Sequence, residues 1–242
     1  MCTVTFIPLH NKILFTHSRD ESSIRAKAIA PKEYSVQNYD LLFPKDAGAG
    51  GTWIACGKNG NAAALMNGAF EKHEHKPPYK KSRGLIFMDM MASDDLYFSY
   101  VDADLTGIEP FTVILWNNKN LYECRWNGGE KNITRLEETE AYTWSSVTLY
   151  DEAVLLKRKE WFQDWLQQHP GPCTDEIIEY HLTAGDGDVY NNIRMNRDGK
   201  MLTVSITAME TGENKTIMTY LDLLDNTTGT SEIIFTKAAA IQ

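Results

Sequence analysis

Cys2 is the residue whose type and position most directly suggest chemistry. A cysteine after the initiator normally allows Met1 to be removed, which leaves Cys2 at the terminus with a free α-amine. One residue then carries both a nucleophile and a base, because an α-amine titrates at about 7.7–8.0 and a thiol at about 8.5. An N-terminal amine that activates a side chain is a recognised form of covalent catalysis. The alternative is a small apolar residue that packs at position 2 without a chemical role.

The residues around position 19 strengthen the chemical interpretation. Two β-rich runs flank the polar pair His10-Asn11, which predicts a hairpin. With these as the turn residues, Cys2 lies directly opposite Arg19, because facing positions then add up to a constant. A register shifted by one residue would place Ser18 or Asp20 there instead. A guanidinium there stabilises a thiolate and can also hold a substrate carbonyl or carboxylate. Either Asp20 or Glu21 can orient the α-ammonium; the alternative for these charges is an exposed strand end.

The wider pattern predicts the elements that hold these residues. Runs rich in β-branched and aromatic residues predict strands, and apolar residues at spacings of three and four predict helices. The predicted strands are 3–7, 12–16, 52–56, 62–66, 111–116, 121–126, 201–209, 216–221 and 232–235, and the predicted helices are 83–91, 152–168 and 174–181. Strands first, helices late and strands again favour an α+β fold rather than a regular βαβ alternation.

The helix predicted over 152–168 has the clearest signals at its two ends. Thr148 and Asp151 match a capping box at its start, and the residues 169–172, which include two prolines, end it. Its aromatic residues, at helical spacing, are expected in the core rather than on a ligand platform.

Composition excludes several classes of protein. The chain has 242 residues, with 24 Lys and Arg against 33 Asp and Glu, so its formal net charge of −9 argues against nucleic acid as a partner. A content of 43% hydrophobic residues is typical of a globular protein. No compositional boundary divides the chain, which predicts one domain over residues 1–242.

Location and redox state can also be predicted from the sequence. The longest apolar run, at 111–116, is far shorter than the roughly 18 residues that span a bilayer, and the N-terminus lacks the apolar core of a signal peptide. We therefore expect no transmembrane segment and a cytoplasmic protein. The four cysteines form no CxxC, which predicts neither disulfides nor zinc. Cys56, Cys124 and Cys173 are expected to be buried.

The basic segment 71–82 offers one alternative site. His73 and His75 could face a metal from one strand, but no carboxylate or thiol lies nearby in the sequence to complete it, which favours a solvated loop. Pro77-Pro78 could serve as part of a lid. The glycines at 48–51 lack the spacing of a nucleotide-binding turn. The sequence thus predicts no cofactor and no metal.

Five short motifs occur in an order that resembles a known family. They are Met1-Cys2, Ser18-Arg19-Asp20-Glu21, Gly50-Gly51-Thr52-Trp53, Ala64-Leu65-Met66-Asn67 and Ser82-Arg83-Gly84. The pattern is similar to that of the NRDE family, also called the transport and Golgi organisation 2 family. The likeness is specific over the first 90 residues and looser beyond them. It implies the fold of the N-terminal nucleophile hydrolases, a four-layer αββα sandwich with the N-terminal cysteine at the mouth of a cleft.

The resemblance also implies roles for individual residues. Cys2 matches the nucleophile, Arg19 the arginine beside it and Asn67 an amide of the oxyanion hole. Donors aimed at an oxyanion contribute roughly 10²–10³-fold in rate. The alternative for Asn67 is a turn residue before glycine. Trp53 and Ser146 are assigned to substrate binding.

The sequence departs from the family pattern at three places. Ser18 stands where the family motif has asparagine, and Ser22 where related cysteine acylases have the orienting acid, so Asp20 or Glu21 must take that role. Ser146 replaces an asparagine before the long helix. Two functions follow from these residues. One is an amidohydrolase that acts on linear non-peptide amides through a thioester on Cys2, and the alternative is a binding or trafficking protein for haem or lipid-like small molecules on the same fold.

Overall fold

The computed structural model describes residues 2–236, which fold into two antiparallel β-sheets and a small number of helices. The helices are α1 (Arg83–Met91), α2 (Leu96–Asp102), α3 (Glu152–Gln168) and α4 (Thr174–Thr183). The strands are β1 (Cys2–Leu9), β2 (Lys12–Ser22), β3 (Ala28–Val36), β4 (Tyr39–Asp46), β5 (Ile54–Gly57), β6 (Ala62–Asn67), β7 (Phe111–Asn117), β8 (Asn120–Trp126), β9 (Lys131–Leu136), β10 (Tyr142–Ser145), β11 (Asn196–Arg197), β12 (Met201–Thr211), β13 (Lys215–Asp222) and β14 (Thr227–Ile234).

Each sheet is built largely from neighbouring hairpins. The first sheet has the order β10-β1-β2-β12-β13-β14, with β11 paired to β12, and the second runs β3-β4-β5-β6-β7-β8-β9. The β1–β2 hairpin turns at His10-Asn11, and its register places Cys2 opposite Arg19. The sequence predicted this pairing correctly, because two turn residues fix the alignment of both strands.

The two sheets pack face to face, and helices cover their outer faces. The apolar cluster between the sheets takes side chains from both, including Val4, Phe6, Phe15, Ile54, Ala64 and Ile114. On the outer face of the second sheet, Phe87 of α1 and Tyr100 of α2 join another cluster. On the outer face of the first sheet, Phe162 of α3 and Ile177 of α4 do the same. The order of layers is therefore αββα, as the resemblance implied.

Helix α3 spans the residues that the sequence predicted, but its cap differs. Asp151 is itself the N-cap, and its side chain accepts a hydrogen bond from the Val154 N–H. The predicted capping box from Thr148 to Asp151 is thus wrong by one turn, because Asp151 stands outside the helix. Phe162 is buried as expected. Arg158, a charged residue of the same helix, is buried as well.

Other differences are elements that the sequence did not predict. These are strands β3, β4, β9, β10 and β11 and the short helix α2. Strand β3 in particular exposes Lys32, Glu33 and Ser35, which are typical of a loop. All four cysteines are free, with Cys56 and Cys124 buried. Cys173 is exposed, contrary to expectation, because it is the N-cap of α4 after the turn that ends α3. Within residues 2–236, no helix is long and apolar enough to cross a membrane.

Candidate active site

A cleft of about 680 Å³ opens beside the N-terminal end of β1. The residues that the sequence singled out and that line it are Cys2, Arg19, Glu21, Trp53 and Asn67. They come from both sheets, which explains why positions far apart in the chain form one site.

Cys2 is the first residue of β1 and only 3% exposed. Its carbonyl oxygen accepts a hydrogen bond of 2.9 Å from the Ser146 N–H, which ties the strand end to the segment after β10. Burial raises the pKa of the Cys2 thiol, the charge of Asp20 acts in the same direction, and Arg19 acts to lower it. The thiol therefore needs a nearby base to react at neutral pH.

Arg19 is held on three sides. Its Nη2 donates to Asp46 Oδ2 at 2.7 Å and lies 3.5 Å from Glu21 Oε2. Its Cζ lies 4.2 Å from the ring centroid of Trp53, a cation–π geometry. The guanidinium is thus fixed in orientation on the same ladder rung as Cys2.

Asp46 is the residue of this site that sequence reasoning missed. Besides Arg19 it accepts hydrogen bonds from Arg25 Nε and from the N–H groups of Gly48 and Ala49. Burial acts to raise the pKa of Asp46, but the Ala49 N–H and the charges of Arg25 and Arg19 outweigh burial and hold it below its ordinary value. The signal that could have revealed it is an aspartate directly before a glycine-rich turn, where a carboxylate can cap free N–H groups.

Asp20 and Glu21 lie on different faces of β2. Glu21 lines the cleft beside Arg19. Asp20 is fully buried behind the sheet, where Tyr150 donates to its Oδ2 at 3.1 Å and Thr203 to its Oδ1 at 2.7 Å. Burial raises the pKa of Asp20, while the charge of Arg158 acts to lower it. The two carboxylates that the sequence could not distinguish thus have different surroundings.

A buried polar network continues behind β1 and β2. The Arg158 guanidinium stacks on Tyr150 with Cζ 3.6 Å from the ring centroid, and donates to Thr3 Oγ1 at 2.5 Å. It also donates to the carbonyl oxygens of Asn191 and Asn192. These contacts fasten α3 to the strand that carries Cys2.

Asn67 and Ser146 are brought together, although they differ in exposure to the cleft. Asn67 ends β6 and lines the cleft. Ser146 is buried, and its hydroxyl donates to the Asn67 carbonyl oxygen at 2.7 Å. Ser146 lines a neighbouring cavity of about 370 Å³, which Asn67 also borders. Its hydroxyl thus bridges the two sheets.

The segment 71–82 is a largely exposed loop, as predicted, and part of it lines the cleft. His73 Nε2 and His75 Nδ1 lie 3.0 and 3.3 Å from Glu109 Oε1, a carboxylate that is distant in the sequence. Glu109 is an acid that the sequence did not associate with these histidines. Glu109 also forms a salt bridge of 3.0 Å with Arg83. Among residues 2–236, no group of three or more His, Cys, Asp or Glu side chains is arranged to hold a metal ion.

Solved structures similar to this one define the class of fold. A C2A mutant of conjugated bile acid hydrolase from Clostridium perfringens has 9% identity and a TM-score of 0.60, covering 98% of this chain and 97% of that chain. Penicillin V acylase from Agrobacterium tumefaciens has 10% identity and a TM-score of 0.53, covering 95% and 85%. The Caenorhabditis elegans ortholog of N-acylethanolamine-hydrolyzing acid amidase has 14% identity and a TM-score of 0.58, covering 86% and 92%. The fold is that of the N-terminal nucleophile hydrolases.

The family follows from the sequence itself. A family model described as Transport and Golgi organisation 2 matches residues 1–233. The chain therefore belongs to that family, as the five motifs indicated. No curated protein matches the chain.

Proposed function

We propose that this protein is an N-terminal-cysteine amidohydrolase that acts on linear non-peptide amides such as N-acyl conjugates. The observation that carries the proposal is the pairing of Cys2 with Arg19 on one ladder rung at a cleft, with Asn67 on the same cleft. The names of the similar structures, which include an acylase and an amidase, favour the same class of reaction.

The proposed reaction begins after Met1 has been removed. The α-amine of Cys2 takes the thiol proton, and the thiolate attacks the carbonyl carbon of the amide. The C–N bond then breaks, the α-ammonium returns its proton to the leaving amine, and a thioester remains on Cys2. Water, deprotonated by the same amine, attacks the thioester and releases the acid with the thiol restored.

Neighbouring residues have distinct roles in this proposal. Arg19 favours the thiolate, and the Asn67 side-chain amide donates to the oxyanion. Asp20 rather than Glu21 orients the α-ammonium. Its hydrogen-bond donors are the neutral hydroxyls of Tyr150 and Thr203, and the charge of Arg158 acts on it without a hydrogen bond, so an α-ammonium can still bind it directly. Glu21, by contrast, already lies 3.5 Å from each of two arginines.

Two further residues were assigned to substrate binding. Trp53 lines the cleft and packs on Arg19, so the part of its ring left free by Arg19 contacts the acyl group of the substrate. Ser146 supports the substrate through Asn67, whose backbone its hydroxyl holds. The role of Ser146 is thus to position the oxyanion donor.

The test compares two forms of the chain with an electrophilic acyl probe. Intact mass first establishes that Met1 is absent from the mature protein. A variant with an uncleavable extra residue before Cys2 keeps the thiol and Arg19 but converts the amine to an amide, which accepts no proton at neutral pH. We expect it to acylate about 10²–10⁴-fold more slowly than the mature form, because it lacks the general base.

The same mass measurement provides the control and also tests the alternative function. Cys2→Ala should show no acyl adduct by intact mass, and in the mature protein the adduct should disappear as the thioester hydrolyses. Equal acylation of the mature and extended forms would contradict the proposal. It would favour the binding or trafficking protein for haem or lipid-like ligands, with Cys2 as an incidental thiol.

A further inference from the structure

The charges that line the cleft are mainly positive, in contrast to the chain as a whole. The cleft has five basic and three acidic side chains, whereas the formal net charge of the protein is −9. The basic residues are Arg19, Arg25, Lys72, Lys81 and Arg83, and the acidic residues are Glu21, Asp46 and Glu109. A cleft with an excess of one charge concentrates ligands of the opposite charge.

Arg83 is the least exposed of the four basic residues of the cleft that the proposed reaction does not use. It is the first residue of α1 and its side chain is 17% exposed. Burial lowers the pKa of its guanidinium, while the charges of Glu109 and of a Cys2 thiolate act to raise it. Arg83 and Cys2 line the same cleft.

The guanidinium of Arg83 is fixed but retains free donors. Nη1 donates to the Pro110 carbonyl oxygen at 3.2 Å, and Nη2 lies 3.0 Å from Glu109 Oε2. A guanidinium has five N–H donors, so these two contacts leave others for a ligand. Glu109 shares its charge with His73 and His75, which reduces its ability to neutralise Arg83 alone.

The position of Arg83 depends on a close contact between two glycines. A Cβ on Gly51 would lie 2.6 Å from the Gly84 carbonyl carbon, so only glycine fits there. This contact joins the start of α1 to the turn before Trp53, the residue that stacks on Arg19. The two arginines are thus held by connected segments beside one nucleophile. Preorganised guanidinium groups of this kind suit planar anions.

We infer that Arg83 is a specificity-determining residue that binds an anionic group of the substrate, so that the preferred amides carry a carboxylate or a phosphate. This inference rests on the proposed function, since it names the substrate class of the same cleft. The reaction at Cys2 is unchanged; Arg83 contributes by binding the charged group while the thiolate attacks the amide.

The experiment uses pairs of substrates that differ only in charge. N-glutaryl-4-nitroanilide and its neutral terminal amide test a carboxylate on the acyl side. N-pentanoylphosphoethanolamine and N-pentanoylethanolamine test a phosphate on the amine side. We expect the charged member of at least one pair to be preferred roughly 10- to 100-fold in kcat/KM, the range of one hydrogen-bonded charge pair. The pair that shows the preference identifies the chemistry and side of the anion.

Variants assign this preference to Arg83. Arg83→Met should reduce the charged-to-neutral ratio to near one, and Arg83→Lys should retain part of it. The double variant R83M/E109Q removes both members of the salt bridge, so a low ratio there cannot be due to an uncompensated Glu109. Arg135→Met changes the net charge equally at an exposed site outside the cleft and should leave the ratio unchanged.

Calorimetry separates this inference from the proposed function. Binding of the same compounds to Cys2→Ala protein requires no chemistry, and the charged member should bind roughly tenfold or more tightly through Arg83. Equal binding of charged and neutral members, or a preference that survives in Arg83→Met, would overturn the inference even if Cys2 acylates. Selective binding without acylation of the wild type would instead reject only the amidohydrolase.

Discussion

The two faces of strand β2 place polar side chains in different environments. On the cleft face, Arg19 forms a salt bridge with Asp46 at the wall of the cleft, although its side chain is only 6% exposed. On the opposite face, which we call the hidden face, Asp20 and Ser18 are buried under α3 and α4 and bind neutral partners. Ser18 Oγ, for example, lies 2.7 Å from His181 Nδ1. Because side chains alternate across a strand, residues adjacent in sequence enter these two environments.

The two faces of β2 therefore have different roles: side chains on the cleft face can bind and react, and side chains on the hidden face stabilise the fold. Charges that line the cleft can contact a ligand directly, so they can be used for binding and catalysis. Groups in the closed layer must satisfy one another, because an unpaired buried polar group costs roughly 1–3 kcal/mol. We therefore expect changes on the hidden face to reduce stability and changes on the cleft face to alter reactivity.

The largest effect on the hidden face is expected for Arg158→Met. The substitution keeps much of the apolar stem but leaves the carbonyl groups of Asn191 and Asn192, and the carboxylate of Asp20, without a cation. We expect the free energy of unfolding to fall by about 3–5 kcal/mol, as when one partner of a buried charged network is removed. Urea unfolding at pH 7 measures this loss.

The exposed Arg135→Met is the matched control for this change and should stay within about 0.5 kcal/mol of the wild type. If Arg158→Met folded as stably as that control, the polar layer behind the sheet would not be a source of stability. The charged-to-neutral substrate ratio of Arg158→Met, measured where it is folded, should be that of the wild type.

The sequence predicted the cleft face better than the hidden one. Cys2 and Arg19 could be paired in advance, because a two-residue turn fixes register locally. Arg158 gave no such signal, since its partners come from β1, β10 and a loop more than 30 residues further along. A charged residue within an amphipathic helix ordinarily faces solvent. Only the tertiary fold shows that it is buried.

Asp46 and Glu109 were missed for a related reason. Glu109 binds side chains that are remote in the chain, and so does Asp46 when it binds Arg19, so neither pairing forms a motif of fixed spacing. Only the contacts of Asp46 with the next turn are local. Strand β3 was missed because polar residues at an edge resemble a loop. Strand β4 was missed although it is interior, because its apolar run, Leu41-Leu42-Phe43, is short and is followed by a proline. The short motifs, by contrast, indicated the αββα fold through a family resemblance, which carries long-range information that periodicity lacks.

An effect of intermediate size is expected when the free energy of unfolding is measured as a function of pH. Burial lowers the pKa of His181 on the hidden face, and of His17 between the sheets, to about 3 in each case. Because the folded-state pKa lies below the unfolded value near 6.5, the unfolded chain binds the proton first. The stability contributed by each neutral imidazole is complete above pH 6.5 and is lost as the pH falls towards 3, by about 2 kcal/mol at pH 5.

Urea unfolding at pH 7 and pH 5 tests this dependence for each face. His181→Gln should lose about 2 kcal/mol less than the wild type between these pH values, and His17→Gln should show a similar difference. His10→Gln removes an exposed imidazole in the β1–β2 turn and serves as the control. A wild-type pH dependence that persists unchanged in both buried variants would show that neither imidazole is forced to remain neutral.

The smallest effect is expected on the cleft face, for Arg19→Lys. Lysine keeps the positive charge but loses the planar fork that binds Asp46 and stacks on Trp53. Its charge is then held less firmly beside Cys2, which favours the thiolate less. We expect alkylation of Cys2 by iodoacetamide at pH 7 to slow roughly two- to fivefold, because the positive charge is displaced rather than removed.

The measurement must distinguish Cys2 from Cys173, which is exposed and reacts as well. A Cys173→Ser background with peptide mass spectrometry provides that distinction. Arg25→Lys is the matched control, because Arg25 also binds Asp46 but its side chain is 42% exposed and it is absent from the charges that shift the pKa of Cys2. Slower alkylation in Arg19→Lys alone would mean that the fixed guanidinium tunes the thiol. An unchanged rate would mean that Arg19 binds the substrate but does not change the reactivity of the Cys2 thiol. The cleft face would then contain residues that bind the substrate and separate residues that react with it.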